Sequence, residues 1–316
     1  MITIGLAGTG VVGDRFARRL PTVLADAAIV VLDGRSARRD LDVAVLARGG
    51  PHVVDAARLV DDGVPVVSVS DDLADVRAMT DLDDRARGAG VPLVVGAGME
   101  PGLTGLLARH LASQLSTCDE IHLAVHGTAG PACARRQHHA LRGRAVGYHD
   151  GTWIQRPAGS GRELCYFPEP VGPYDCYRAE LASPVLLRDT FPDAVRISAR
   201  VSANRRDRLT AWLPMLSPPH REGGVGAVRV EVRGDGLDGG RCTLIAGVAE
   251  LVGTAAAATA IAFVTAIARG SLPVGVVRPG DAALDTVGLL ATIADVGVRL
   301  QEFTGVPSTS RISANS

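Results

Sequence analysis

The fold class this sequence predicts is α/β: a Rossmann-type, doubly wound parallel sheet with a second α+β domain carrying a mixed or antiparallel sheet. Three observations predict it. A short apolar stretch runs into Gly8-Thr-Gly10-Val-Val-Gly13 and then into an amphipathic segment. Strand-like and helix-like stretches then alternate through the first hundred residues, as in a parallel sheet covered on both faces. Past Cys118 the hydrophobic period changes to two, the mark of half-buried strands.

In order along the chain, Ile2, Ile4 and Leu6 alternate as a short buried strand, and Phe16, Ala17 and Leu20 give the following segment its apolar side. Between them each glycine has its own task in a dinucleotide-binding turn. Gly8 permits the tight bend, Gly10 lets the backbone approach a pyrophosphate, and Gly13 lets helix and strand pack closely. Thr9, Val11 and Val12 complete the candidate phosphate site, whose helix start presents free N–H groups. The competing reading is a glycine-rich turn that binds nothing, since the chain holds 37 Gly in 316 residues.

Residues 28–32 read as a fully buried parallel strand ending at Asp33, about twenty residues past the last glycine, where an acid for the adenosine ribose is expected. Asp33 by itself points to NAD. Arg35, Ser36, Arg38 and Arg39 follow at once and suit the extra phosphate of NADP, which tips the cofactor expectation to NADP with NAD as the alternative. A solvated arginine loop is the third reading.

Buried strands follow at 42–47, 65–70 and 91–96, with helices at 53–61 and about 73–88 between them. Ligands of open α/β sheets sit outside the carboxyl ends of the strands. Ala47, Arg48, Ser68, Ser70, Gly96, Ala97 and Gly98, with Pro101 just beyond, are therefore expected to line the nicotinamide half of the cofactor site.

In the second domain, residues 120–126 alternate with period two, and 145–148 and 152–155 form a hairpin through Asp150-Gly151. Further strands are expected at 194–202, 227–233 and 241–246. The uncharged run 251–268, rich in Ala and Thr, reads as a helix buried between domains, and the small polar tail 308–316 as disordered. The expected division is 1–118 for the dinucleotide-binding domain, 119–250 for an α+β substrate or dimerisation domain, and 251–316 for helices returning to the first domain.

Composition narrows the function. Balanced charge (net −1) leaves no basic surface for nucleic acid, and 3% aromatic content offers no stacking platform for single strands. No membrane partner is expected. All 33 basic residues are arginine, so Schiff-base catalysis, a lysine general base and a P-loop lysine are excluded. Five dispersed cysteines without a CxxC fit reduced cytoplasmic thiols better than disulfides or a zinc site, so no metal is expected. The N-terminus is already a strand, so no secretory signal is expected before it.

The chain resembles the saccharopine dehydrogenase-like group of NAD(P)-dependent oxidoreductases. The resemblance rests on Gly8-Thr-Gly10-Val-Val-Gly13 and, more distinctively, on Gly96-Ala-Gly98-Met-Glu100-Pro101-Gly102-Leu103, which is similar to the family's GxGxxPG loop after the sixth strand. An Ala-rich helix, Gly270 and Leu272-Pro-Val-Gly275-Val complete it. The resemblance implies a Rossmann fold, a nicotinamide cofactor, and imine reduction or amine oxidation on a small amino-acid-like substrate; a cytoplasmic homodimer is expected. Family members of known activity often use a lysine, or a charged pair, near the nicotinamide; this chain has no lysine, so the resemblance carries no such role over to it. A weaker resemblance, to dihydrodipicolinate reductases, rests on His138-His139; the expected lysine and Gly-Thr are replaced by Ala140-Leu-Arg-Gly143.

Reducing a C=N bond needs a proton donor near the nitrogen, and an amino-acid substrate needs arginine forks for its carboxylates. Arg135, His138, His139 and Arg142 offer both on one segment, on neighbouring faces if it is helical; a solvated basic helix is the alternative. His126 ends the first strand of this domain and Tyr148 lies at a hairpin end; either is a site residue or a structural one. The proline-held segment 166–177 carries Tyr166, Glu169 and Tyr174, either as a substrate lid or as a simple connection. The expected function is NAD(P)H-dependent hydride transfer; the alternative is a nucleotide-binding sensor or scaffold without turnover.

Overall fold

The computed structural model describes residues 1–32, 40–216 and 218–302. Five short strands open the chain: β1 (Ile2–Ala7), β2 (Ala27–Val31), β3 (Val43–Leu46), β4 (Val66–Ser68) and β5 (Pro92–Val94). Helix α1 (Val11–Arg19) follows β1, α2 (Val53–Asp61) follows β3, and α3 (Leu73–Thr80) and α4 (Asp83–Ala89) follow β4. The single helix expected over 73–88 is thus two. The break at 81–82 redirects the chain so that Asp83 accepts the N–H of Val276 at 2.7 Å.

After an irregular turn, α5 (Thr104–Ala112) crosses to the second domain. There β6 (Glu120–His126), α6 (Pro131–Ala140), β7 (Arg144–His149), β8 (Thr152–Pro157), β9 (Glu163–Tyr166), β10 (Pro173–Arg178), α7 (Ser183–Thr190), β11 (Arg196–Ser202), α8 (Arg205–Thr210), β12 (Val225–Asp235) and β13 (Arg241–Leu251) follow. The hairpin at Asp150-Gly151 forms as expected, both residues taking positive φ (48° and 78°). The chain closes with α9 (Val252–Ala268), β14 (Gly275–Val277), α10 (Thr286–Asp295) and β15 (Gln301–Glu302).

The first sheet is wholly parallel, in the order β14-β5-β4-β3-β1-β2. Its sixth place is filled from the far end of the chain by β14, so the loop at 96–103 follows the fifth strand, not a sixth. The order reverses at β1, which pairs with β2 on one side and β3 on the other, and this opens the crevice where ligands of such sheets sit. Residues 28–32 are not fully buried: β2 is the sheet edge and leaves Val30 42% and Val31 53% exposed. The second sheet runs β15-β13-β12-β6-β11-β10-β9, with β7 and β8 attached to β11. It is mixed, because β6 and β11 are parallel while its other pairs are antiparallel.

One continuous apolar core joins the two sheets through α5 and α9. In α9 every residue from Val252 to Ala266 is buried, and its alanines let it lie close to α1, β3 and β4. Among the described residues no helix is long and apolar enough to cross a membrane.

Candidate active site in the interdomain cleft

The turn after β1 is shaped by close backbone approach. Gly8 takes φ +115°, and a Cβ there would stand 2.5 Å from the Arg48 nitrogen; a Cβ on Gly13 would stand 1.9 Å from the Gly8 carbonyl oxygen. Gly10 differs. Its backbone is extended (φ −74°, ψ −167°), open to any residue, and a Cβ there would meet nothing within 4 Å. It is the N-cap of α1, whose first helical bond runs from the Asp14 N–H to the Gly10 oxygen at 2.8 Å. The amides of Val11 and Val12 ahead of it have no partner within the helix, and both residues line the cleft.

The loop after β3 is held from behind by His52, which is fully buried. Its Nε2 lies 2.9 Å from the Arg48 carbonyl, which can only accept, so Nε2 carries the proton. Nδ1 then accepts from the Ser68 hydroxyl at 2.8 Å. Burial lowers the imidazole pKa and keeps the ring neutral. The Asp75 carboxylate accepts the N–H groups of His52 and Val53 at 2.9 and 3.0 Å and so caps α2 from another helix.

Between the two sheets lies a cleft of about 820 Å³, reached by the Gly8–Gly10 turn at one end and by Glu100 further in. Glu100 sits in extended backbone (φ −127°, ψ 130°) within the turn 99–103 and is only 9% exposed. Its Oε1 accepts from the Ser183 N–H at 3.2 Å and from the Ser183 hydroxyl. Burial drives its pKa up to about 7; Asp71 adds to the rise, while Ser183 and Arg136 oppose it. Burial also raises the Asp71 pKa, against the attraction of Arg136.

Arg136, from α6, bridges the two domains. Its Nη2 donates to the Asp71 carbonyl at 2.8 Å and the Glu180 carbonyl at 3.2 Å, and its Nε lies 3.0 Å from the Asp72 carboxylate. Cys133 also lines the cleft, but burial, reinforced by Asp71, pushes its thiol up to about 12, far from a thiolate nucleophile.

The structure distributes the sequence candidates unevenly. Gly8, Thr9, Gly10, Val11, Val12, Ala47, Arg48, Ser70 and Gly98 line the cleft together with Arg135 and His139. Gly13, Ser68, Gly96, Ala97 and Pro101 lie behind that wall. Gly13 backs onto Gly8, Ser68 holds His52, the Ala97 N–H donates to the Ser68 carbonyl at 2.6 Å, and the Pro101 ring lies over Gly96. Asp33, Arg35 and Ser36 fall outside the described residues, as does the tail 308–316.

The basic segment does not present its four residues together. Helix α6 ends at Ala140, so Arg142 lies beyond it and off the cleft wall. His138 turns away, its Nε2 3.0 Å from the Leu213 carbonyl. His126 and Tyr174 line a second cavity, their rings 4.1 Å apart. Tyr148 is buried on another face, between the Arg188 guanidinium and the edge of Trp153. Segment 166–177 is a hairpin, not a cover over the cleft. Phe167 and Val171 pin its turn to Ala124 and Ala227, while Tyr166 is 64% exposed and Glu169 lines neither cavity.

Sequence reasoning gave no role to Glu100 or Arg136 and touched Asp71 only at the end of the strand at 65–70. An acid between Gly98 and Pro101 in an otherwise uncharged loop was the available signal for Glu100; Arg136 stood in the basic segment without being singled out.

No family model and no curated protein matches the chain. Among solved structures it is similar to the apo saccharopine dehydrogenase (L-Glu forming) of Saccharomyces cerevisiae, with 13% identity and a TM-score of 0.66 over 96% of this chain and 100% of that one. It is also similar to the homospermidine synthase of Legionella pneumophila, a structure in complex with NAD, with 12% identity and a TM-score of 0.67 over 96% of this chain and 91% of that one. At these identities the likeness is one of fold, and the resemblance carried by the two glycine motifs is present at that level.

Proposed function

We propose that the chain is an NAD(P)(H)-dependent oxidoreductase that reduces an imine, or oxidises an amine, of a small amino-acid-derived substrate in the interdomain cleft. The observation that carries it is the open space beside Gly10. A helix start with unpaired amides opens there on a cleft that also holds a buried carboxyl titrating near neutrality. The residues fit a dinucleotide: Gly8, Thr9, Gly10, Val11 and Val12 would hold the diphosphate, and Ala47, Arg48, Ser70 and Gly98 would flank the rest. The NAD bound to a homospermidine synthase of like fold supports the reading. When bound, the nicotinamide supplies or accepts the hydride.

The chain's own residues supply the rest. Glu100, its pKa brought up to about 7 by burial, has both its protonated and its ionised forms within reach near neutral pH. It can therefore hand a proton to a substrate nitrogen in one direction and take it back in the other. Ser183 fixes the carboxyl by binding one oxygen. Arg136 keeps the two cleft walls in register, while Arg135 on the cleft wall offers positive charge to a substrate carboxylate; burial and the neighbouring Arg142 lower the His139 pKa, so its ring serves as a neutral hydrogen-bonding group beside it. Arg35 and Ser36 on the sequence side favour NADP.

Titration with NADPH and NADH, followed by nicotinamide fluorescence, tests the reading, with oxidation of the bound cofactor against a panel of cyclic and acyclic imines as the second step. Tight binding and turnover are expected. Binding without turnover on any imine would favour the sensor or scaffold, and no binding of either cofactor would end both.

A further inference from the structure

A second cavity of about 940 Å³ opens beyond Gly127 and Gln137, two residues that line both it and the interdomain cleft. Its floor is aromatic. The rings of His126 and Tyr174 stand 4.1 Å apart at a 41° tilt, and the Arg208 guanidinium lies 4.2 Å from the centre of the Tyr177 ring. Nδ1 of His126 is 2.8 Å from the Ser202 hydroxyl, and burial lowers the imidazole pKa, so the ring serves as a flat uncharged surface.

The walls carry a small excess of positive charge. Arg162 is paired with Asp175 at 2.9 Å. Arg208 donates from Nη1 to the Gly159 carbonyl at 3.2 Å, but its buried Nε has no acceptor. Arg205, in the first turn of α8, has no carboxylate partner among the described residues. Against these two guanidinium groups stands the carboxylate of Asp207, whose N–H is bound to the Asn204 side chain at 2.7 Å. The balance is one positive charge, beside a surface suited to a ring.

We propose that this chamber is a distal substrate subsite for a planar, conjugated ring bearing a single carboxylate, so that the substrate spans from the cleft past Gly127 and Gln137. The inference rests on the reading of the cleft as the substrate site. The exposed face of Tyr174, backed by the His126 ring, stacks on the ligand ring, and the exposed Arg205 guanidinium receives the carboxylate, with the Arg208 charge behind it. The planar guanidinium matches a carboxylate edge, and a donor without an acceptor gains most from one. An aliphatic amino acid would leave the aromatic floor uncovered.

The test uses the full chain and three probes: 3-phenylpropionate, hexanoate (a carboxylate without a ring) and 3-phenylpropionamide (a ring without charge), with binding read by ligand-observed NMR and calorimetry. Saturable binding of 3-phenylpropionate is expected. Hexanoate should bind about three- to ten-fold more weakly, and the amide at least about ten-fold more weakly. Arg205→Gln and Tyr174→Leu, both at exposed positions, should each weaken 3-phenylpropionate by similar factors with an unchanged melting curve. Absence of binding, equal affinity for all three probes, or full affinity in both variants overturns the proposal. A Gly10→Val protein separates the two readings: it should lose NADPH while still binding 3-phenylpropionate. Failure of the wild type to bind NADPH removes the cofactor reading alone.

Discussion

The wild type should lose stability between acid and mildly alkaline conditions, and replacing Glu100 by glutamine should abolish that loss. In the folded protein the carboxyl is raised by burial from 4.5 to about 7. The fold therefore holds this proton more tightly than the unfolded chain does. The contribution is fully present below about pH 4.5 and is lost as pH rises through about 7. Two and a half decades in proton affinity, at about 1.4 kcal/mol each, amount to ~3 kcal/mol of destabilisation once the carboxylate is formed. The amide introduced by Glu100→Gln would keep an oxygen that accepts from the Ser183 N–H and hydroxyl, so the packing should persist while the titration disappears. At ~2–4 °C per kcal/mol, Glu100→Gln should melt roughly 5–10 °C above the wild type at pH 8.5 and close to it at pH 5. Thermal melts at half-unit steps of pH, with both proteins in matched buffers, provide the assay. Parallel curves would show that Glu100 is ionised at no cost in the fold, and the proton-holding role would fall with it. If the role holds, the same variant should lose about 10²–10⁴ in turnover with cofactor affinity retained.

Gly10→Val places a branched side chain in space that no protein atom fills, so it should leave the melting temperature within a few degrees of the wild type and remove NADPH binding; retained affinity would move the cofactor elsewhere. Arg136→Met removes the interdomain bond to the Asp71 carbonyl, the bond to the Glu180 carbonyl within the second domain, and the cation that opposes protonation of Glu100 and Asp71. It should destabilise the chain by about 2 kcal/mol and shift the Glu100-dependent melting transition to higher pH, whereas an unshifted transition would disconnect the two residues. Arg35→Ala should weaken NADPH more than NADH by about 1.5–3 kcal/mol in paired fluorescence titrations, and an equal loss for both would return Arg35 to a solvated loop.

The glycine turn, the parallel first sheet and the buried helix 252–268 were legible because their signals are local. Gly13 is dictated by the Gly8 carbonyl five residues away and Gly8 by the positive φ of its own turn, and an uncharged run rich in Ala and Thr has only an interior to occupy. The hairpin at Asp150-Gly151 was equally legible, since two consecutive positive φ values are a property of the turn itself. What the sequence left open depended on partners distant along the chain. Val30 and Val31 look like core residues, yet they are exposed because β14, from residue 275 onward, completes the opposite edge of the sheet and nothing described covers β2. His138 and His139 are adjacent in sequence, but one faces the Leu213 carbonyl and the other the cleft, because α6 offers one face to each. Glu100 gained its near-neutral carboxyl only when the folded interior excluded water from it and set Asp71 nearby, against the hydrogen bonds that Ser183 of α7 gives it. A pKa set by desolvation is a property of the assembled interior, and no stretch of sequence around residue 100 contains it.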